Sequence, residues 1–163
     1  MGHPIFVAAR IGNLSDLAPH VKTFREAWAR AGHPGRGAVY LRVPVYVADT
    51  DEAAQEEPRE SILHLLRTIG SRLAESAKLD SARAIEKRGE RGAKMVSIEY
   101  DEVLRERMIV GTPPQVVDRL EEIQEVLGLD GILAELNPGS LIPHPRVMRA
   151  LRLLCEQVIP AFK

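Results

Sequence analysis

Three times along this chain a short apolar run is followed, across a polar turn, by an amphipathic helix. That alternation limits the available folds more than any other feature of the sequence. Neighbouring parallel strands need a crossover connection, and a helix is the usual one, so a repeated strand–helix order predicts an α/β fold with a parallel sheet. The first run is Ile5 to Ala9, with a turn over residues 10–13. Asn13 is the expected N-cap of the helix that follows, with Asp16 in its first turn. Leu14, Leu17, Val21, Phe24, Trp28 and Ala31 recur at alternating steps of three and four, which is one continuous apolar stripe. Gly32-His33-Pro34-Gly35 stops it.

The second run is Val39 to Ala48. It shows little polar alternation, as a strand covered on both faces does. Pro44 cannot donate to a ladder and predicts a bulge or a locally unpaired edge. Asp49-Thr50-Asp51 ends the strand, and a helix is predicted from near Pro58 with Ile62, Leu65, Leu66, Ile69 and Leu73 inward. Between Ala74 and Lys94 the pattern weakens. Arg83, Glu86, Lys87, Arg88, Glu90 and Arg91 leave almost no apolar face, so this stretch reads as a solvated helix or a mobile loop. A short helix is expected over 100–107.

The third unit opens with Thr112-Pro113-Pro114-Gln115, a capping box with proline in the first turn. Val116, Leu120, Ile123 and Leu127 face one way and Gly128 closes the helix. Gly131 to Leu136 is the third strand, Asn137-Pro138-Gly139-Ser140 a loop. The last helix runs from about Pro145, with Val147, Met148, Leu151, Leu154, Cys155 and Val158 inward, to Pro160. A closed eight-stranded barrel takes ~250 residues. This chain of 163 supplies three strands, which leaves two open edges, a liability in solution. Either further strands come from elsewhere or the sheet is small and open.

Composition removes other classes. The chain is 45% hydrophobic and 28% charged, enough for one core, and its net charge of −1 shows no bias toward a polyanion, so no nucleic-acid partner is expected. The single cysteine, Cys155, forms no internal disulfide and suits a reducing compartment. It sits on the apolar stripe of the last helix and reads as a buried structural thiol rather than a nucleophile. No apolar run reaches the ~20 residues of a membrane span, and the start carries no secretory signal, so a cytoplasmic protein is expected. His3, His20, His33 and His64 have no ligand spacing, so no metal site is expected. No phosphate-binding glycine loop or nucleophile elbow is present.

Gly111-Thr112-Pro113, Gly128-Leu129-Asp130-Gly131-Ile132-Leu133 and Val158-Ile159-Pro160 resemble the C-terminal signature of the bacterial luciferase-like monooxygenases. Phe24-Arg25-Glu26-Ala27-Trp28 with Ala31-Gly32-His33-Pro34 resembles the family's sixth helix, and Val45 to Thr50 its seventh strand. The resemblance covers nearly the whole chain in the right order. It implies a partial (β/α)₈ TIM barrel: three parallel strands, the family's six to eight, within one domain over 1–163, carrying a variable insertion over 74–110. It implies reduced FMN as cofactor, or a deazaflavin, with a small organic substrate. The family's first five strands, and the flavin phosphate grip near the end of the fifth, are not in this chain. The expectation is therefore a portion of an oxidoreductase, inactive by itself, that gains a barrel-completing partner or homo-oligomerises. The alternative is a non-enzymatic remnant that self-associates through its strand edges.

Barrel active sites lie at the carboxyl ends of the strands. That nominates Ala8 to Asn13, Asp49 to Asp51 and Asn137 to Ser140. Arg10 is placed to meet a flavin ring edge or phosphate, or is a surface arginine. Gly12 admits a ligand or only a turn, and Asn13 borders the cofactor or only caps a helix. Glu135, an acid inside a strand, lines a pocket or pairs with a neighbouring helix. Asn137 and Gly139 contact substrate or flavin, or simply turn the chain. His144, between two prolines, is a proton donor or an ordinary surface histidine. The catalytic residues are not identified by sequence.

Overall fold

In the computed structural model the described residues are 2–8, 13–77 and 82–162, with side chains left aside at 77 and 82–88. In chain order the elements are β1 (Ile5–Ala8), α1 (Ala18–Arg30), β2 (Val39–Val47), α2 (Asp51–Glu56), α3 (Arg59–Ala77), α4 (Ala82–Val96), α5 (Tyr100–Glu106), β3 (Ile109–Gly111), α6 (Pro113–Leu127), β4 (Gly131–Glu135) and α7 (His144–Leu153).

All strand pairs are parallel, and β2 is the centre. It pairs with β1 from Ile5↔Val39 to Ala8↔Arg42 and with β4 from Tyr40↔Gly131 to Pro44↔Glu135. Because both ladders use residues 40–42 of β2, β1 and β4 flank it on opposite sides. The short β3, which the sequence pattern does not reveal, continues the pairing at Val45–Val47. Pro44 falls between the end of the β1 ladder at Arg42 and the start of the β3 ladder at Val45, so the missing donor expected there sits in a gap between ladders. Its Cα partner is Glu135.

One face of β2 makes the main core. Val39, Leu41, Val43, Val45 and Val47 are fully buried and pack with Val21 of α1, with Val116, Leu120, Ile123 and Leu127 of α6, and with Leu153, Leu154 and Val158 at the C-terminus. The opposite face is less covered than the apolar run predicts. Tyr40, Arg42 and Pro44 are half-buried there. Phe6 stacks on Tyr40 with ring centroids 5.3 Å apart, yet stays 63% exposed, and Leu133 of β4 is 45% exposed.

The helix ends follow local chemistry. Asn13 does not cap with its side chain; its backbone N–H donates to Asp16 Oδ2 at 2.9 Å, and a 3₁₀ turn over Ser15–Leu17 leads into α1. At α6 the expected capping box forms: the Thr112 side chain accepts from the Gln115 backbone, and Gln115 Oε1 accepts from Thr112 N at 2.8 Å. Gly128 closes α6 at φ +60°, and Arg25 of α1 donates to its carbonyl at 2.5 Å. After α7 the backbone widens into a π turn over Leu154–Val158. The change of period keeps Leu154 and Val158 inside but turns Cys155 outward, against the expected buried thiol. Met148, also expected inward, is 42% exposed.

The stretch read as a charged helix or loop is helical where described. α3 and α4 cross at two glycines: a Cβ on Gly70 would lie 2.8 Å from the Gly92 carbonyl, and one on Gly92 would lie 2.8 Å from the Gly70 carbonyl. Ile62 and Leu66 of α3 form a second core with Met95, Ile98, Tyr100, Val103 and Met108. α2 is a further helix where sequence showed only the end of a strand; Thr50 Oγ1 caps it by accepting from Ala53 N at 3.2 Å.

Candidate functional site at the carboxyl ends of the strands

The strands all point the same way, so β1, β2 and β4 deliver the segments after Ala8, Val47 and Glu135 to one end of the sheet. The sequence-nominated residues meet there in part. Glu135, the last residue of β4, forms an ion pair with Arg42 of β2, which lies diagonally from it, two residues before its register partner Pro44. Arg42 is the charged residue inside the apolar run Val39–Val47, and its alternation with Tyr40 and Pro44 is the signal that marks the second face of the sheet. Beside the pair lies a cavity of about 30 Å³, walled by Arg42, Glu135, Arg107 and the apolar side chains of Ile62, Leu66 and Val103.

The loop after β4 is held from within. Asn137 Oδ1 accepts from Ile142 N at 3.0 Å, and Asn137 Nδ2 donates to Ile142 O at 3.1 Å. Ser61, at the start of α3, donates to Pro138 O at 2.7 Å and accepts from Leu141 N at 3.0 Å. Gly139 adopts φ +92° under Ser61, where a Cβ would lie 1.9 Å from the Ser61 carbonyl. These contacts account for Asn137 and Gly139 as loop-forming residues. Asn13 lies where the chain after β1 meets α5, with Leu14 N donating to Glu106 O at 2.9 Å. Arg10 and Gly12 lie outside the described residues. His144 is exposed at the start of α7.

A polar cluster that sequence reasoning missed ties the end of β2 to α2 and α7. Tyr46 Oη donates to Glu57 Oε2 at 2.5 Å, and Arg149 Nη2 donates to both Glu57 oxygens at 2.7 and 2.6 Å. Arg146 Nε lies 3.5 Å from Glu57, and Arg149 Nε 3.7 Å from Asp49. Burial opposes ionisation of Glu57, but hydrogen bonds from Arg149 and Tyr46 with the two arginine charges outweigh it and hold its carboxyl below the usual value. Burial and the Glu57 carboxylate push the Tyr46 phenol up. The 92-residue separation of Glu57 and Arg149 hides the pair from any local pattern.

Arg107, just after α5, is 4% exposed, and its Nε and Nη1 have no hydrogen-bond partner. Glu102 Oε1 stands 3.8 Å from Nη2, beyond hydrogen-bond reach. Burial lowers the Arg107 pKa, offset in part by the charges of Glu102, Asp16 and Glu106. A separate apolar groove of about 350 Å³ lies on the helical side, where Leu120, Ile132, Leu154, Val158 and Phe162 border β4. It is on the wrong side of the sheet for a site at the strand ends. Among the described residues no cluster of His, Cys, Asp and Glu is arranged to hold a metal ion, and no helix is long and apolar enough to cross a membrane.

A parallel β/α sheet is the arrangement of barrel and doubly wound α/β folds, whose sites lie at the strand carboxyl ends. The chain belongs to the luciferase-like monooxygenase family, whose sequence profile matches residues 1–130. No curated protein sequence matches it. Among solved structures it resembles the monooxygenase RslO1 from Streptomyces bottropensis (20% identity, TM-score 0.60, 99% of this chain and 43% of that one). It resembles the coenzyme F420-dependent tetrahydromethanopterin reductase from Methanopyrus kandleri (22%, TM-score 0.62, 100% and 46%). It also resembles the oxygenating constituent of 3,6-diketocamphane monooxygenase from Pseudomonas putida, a type II Baeyer–Villiger monooxygenase in complex with FMN (20%, TM-score 0.63, 95% and 41%). The chain thus spans less than half the length of these proteins. Their likeness supports the α/β fold.

Cofactor-sized sites occupy roughly 300–1,000 Å³. The cavity beside Arg42 and Glu135 is about 30 Å³, and Asn137 and Gly139 are engaged in their own loop.

Proposed function

We propose that this chain forms the C-terminal part of a flavin-dependent luciferase-like monooxygenase, and that it is inactive until further strands complete the barrel. In this reading β1, β2 and β4 are the family's sixth, seventh and eighth strands, and residues 74–110 are the variable insertion within a single domain. Arg10, Gly12, Asn13, Glu135, Asn137 and Gly139 edge the cofactor side. The cofactor is FMN or a deazaflavin, the substrate a small organic molecule, and the compartment the cytoplasm. The family match over residues 1–130 carries the reading. The parallel order β1-β2-β4 and the FMN and coenzyme F420 named for two similar structures support it. A flavin supplies the redox chemistry; the protein orients it and sets its electrostatics.

Titrating the purified chain with FMN while following flavin fluorescence, with light scattering for mass, tests this. The expected result is no saturable binding by the monomer. Tight one-to-one binding by a monomer would contradict it.

A second reading, a remnant that pairs with copies of itself, is favoured by the exposure of Phe6 and Leu133 on the two outer strands. A dimer that binds no flavin and accepts no barrel-completing chain favours this one.

A further inference from the structure

Arg107 is buried beside the site with part of its guanidinium unpartnered. A guanidinium carries five donors and stays protonated, so one that is 4% exposed with Nε and Nη1 unpaired calls for a missing acceptor. The arginine borders the 30 Å³ cavity between α3 and the sheet. By the yardstick that a single water occupies roughly 10–15 Å³ of such space, this volume holds one small ion or two waters. The charge on the wall decides between them. Two cations, Arg42 and Arg107, line the cavity with one carboxylate, Glu135, and Glu135 is paired with Arg42. Glu102 approaches Arg107 only at Nη2, at 3.8 Å. Glu102, Asp16 and Glu106 offset the Arg107 charge, but none of them bonds Nε or Nη1; water would fill those donors without supplying an anion in contact with them, and an incompletely paired charge is costly in a low-dielectric interior. The remaining lining, Pro44, Ile62, Leu65, Leu66, Ile69 and Val103, supplies no acceptor side chain.

We infer that this cavity is a binding site for one small monovalent anion, a halide ion or a carboxylate the size of formate, held by Arg107 Nε and Nη1 with Arg42 as the second cation. The site needs no flavin and stands whether or not the barrel reading holds. The occupant cross-links α5 to β2, so its binding free energy adds to the stability of the folded chain.

The test is thermal unfolding of the full chain in sodium bromide, sodium formate and sodium gluconate at matched ionic strength. Gluconate is too large to enter and reports screening alone. Bromide or formate is expected to raise the midpoint by a few degrees in a saturable way, and the gain is expected to vanish in Arg107→Met. A response to bromide alone identifies a free halide as the occupant, and one to formate alone a carboxylate. Equal midpoints in all three salts, or an unchanged response in Arg107→Met, overturn the inference. Anomalous diffraction from wild-type crystals grown in bromide gives a readout independent of that variant. A peak in contact with Arg107 Nε or Nη1 supports the site, and water density alone there overturns it.

Discussion

Val39 and Asp130 exchange two hydrogen bonds: Val39 N donates to Asp130 Oδ2 at 2.8 Å, and Asp130 N donates to Val39 O at 2.9 Å. The pair fixes the register of β2 and β4 at their amino ends, one residue before the ladder begins at Tyr40↔Gly131. Arg36 adds a bond to Asp130 Oδ1 at 2.6 Å. The aspartate of the Gly-x-Asp-Gly signature is therefore a stability residue, at the opposite end of the sheet from the candidate site. Asp130→Ala strands the Val39 donor and is expected to cost about 1–3 kcal/mol in urea unfolding, with Asp130→Asn recovering part by keeping one acceptor. Equal stability of Asp130→Ala and wild type would remove this role.

Acid should loosen the fold through two carboxylates. Burial works against ionisation of Asp130, but the Val39 N–H and Arg36 prevail and lower its pKa, as Arg149 and Tyr46 do for Glu57. A depressed folded-state pKa means that the unfolded chain binds the proton more tightly. The stabilisation is thus complete above the ordinary values of 4.5 for Glu57 and 3.8 for Asp130 and is lost as pH falls through the lowered folded values. Melting midpoints from pH 7 to 3 are expected to hold down to about pH 4.5 and then drop, less steeply in Glu57→Gln. A midpoint that rises on acidification would contradict the assignment.

Removing the other partner tests the same cluster at neutral pH. Arg149→Met leaves Glu57 with Tyr46 and the more distant Arg146. Since Arg149 is 41% exposed, solvent screens the pair, and a loss of about 1–2 kcal/mol is expected. Chemical denaturation measures it, and a double-mutant cycle with Glu57→Gln should show coupling rather than additivity.

Gly139→Ala is predicted to be disruptive for two reasons. Its φ of +92° disfavours any side chain, and the new methyl meets the Ser61 carbonyl at 1.9 Å. The expected loss exceeds about 1 kcal/mol, with faster amide exchange confined to the 137–142 loop and the start of α3. An unperturbed loop would mean that it is not pinned by α3.

The α3–α4 crossing gives a fifth test. Gly70→Val places carbon within reach of the Gly92 backbone, which cannot give way, whereas Gly89 has open space around it. Gly70→Val is expected to destabilise by roughly 1–3 kcal/mol, and Gly89→Ala to be neutral or stabilising. Circular dichroism melts of the two variants separate the cases.

The three strand–helix units were legible because their apolar period is long and punctuated by glycine and proline, as at Gly32–Pro34 and Gly128. Where two separated segments meet, the pattern was silent. β3 has three residues, too few for a period, and its partner Val45–Val47 lies over sixty residues upstream. α2 is hidden because its sequence is mostly polar and follows a strand directly. Cys155 was read on a 3.6-residue period that the π turn breaks. Glu135 stands out as an acid inside a strand, but its partner Arg42 is 93 residues away in the sequence, and no local pattern marks Arg107 as buried.

The measurement that bears most directly on the central claim, adjacent parallel strands in the order β1-β2-β4, is a set of cross-strand proton contacts by NMR on labelled protein. Parallel pairing at the register Val7↔Leu41 and Leu41↔Ile132 predicts evenly spaced, slanted amide-to-α-proton contacts on both sides of Leu41. Close α-proton pairs alternating with amide pairs on either side would mean antiparallel strands, and the barrel reading would fall with them.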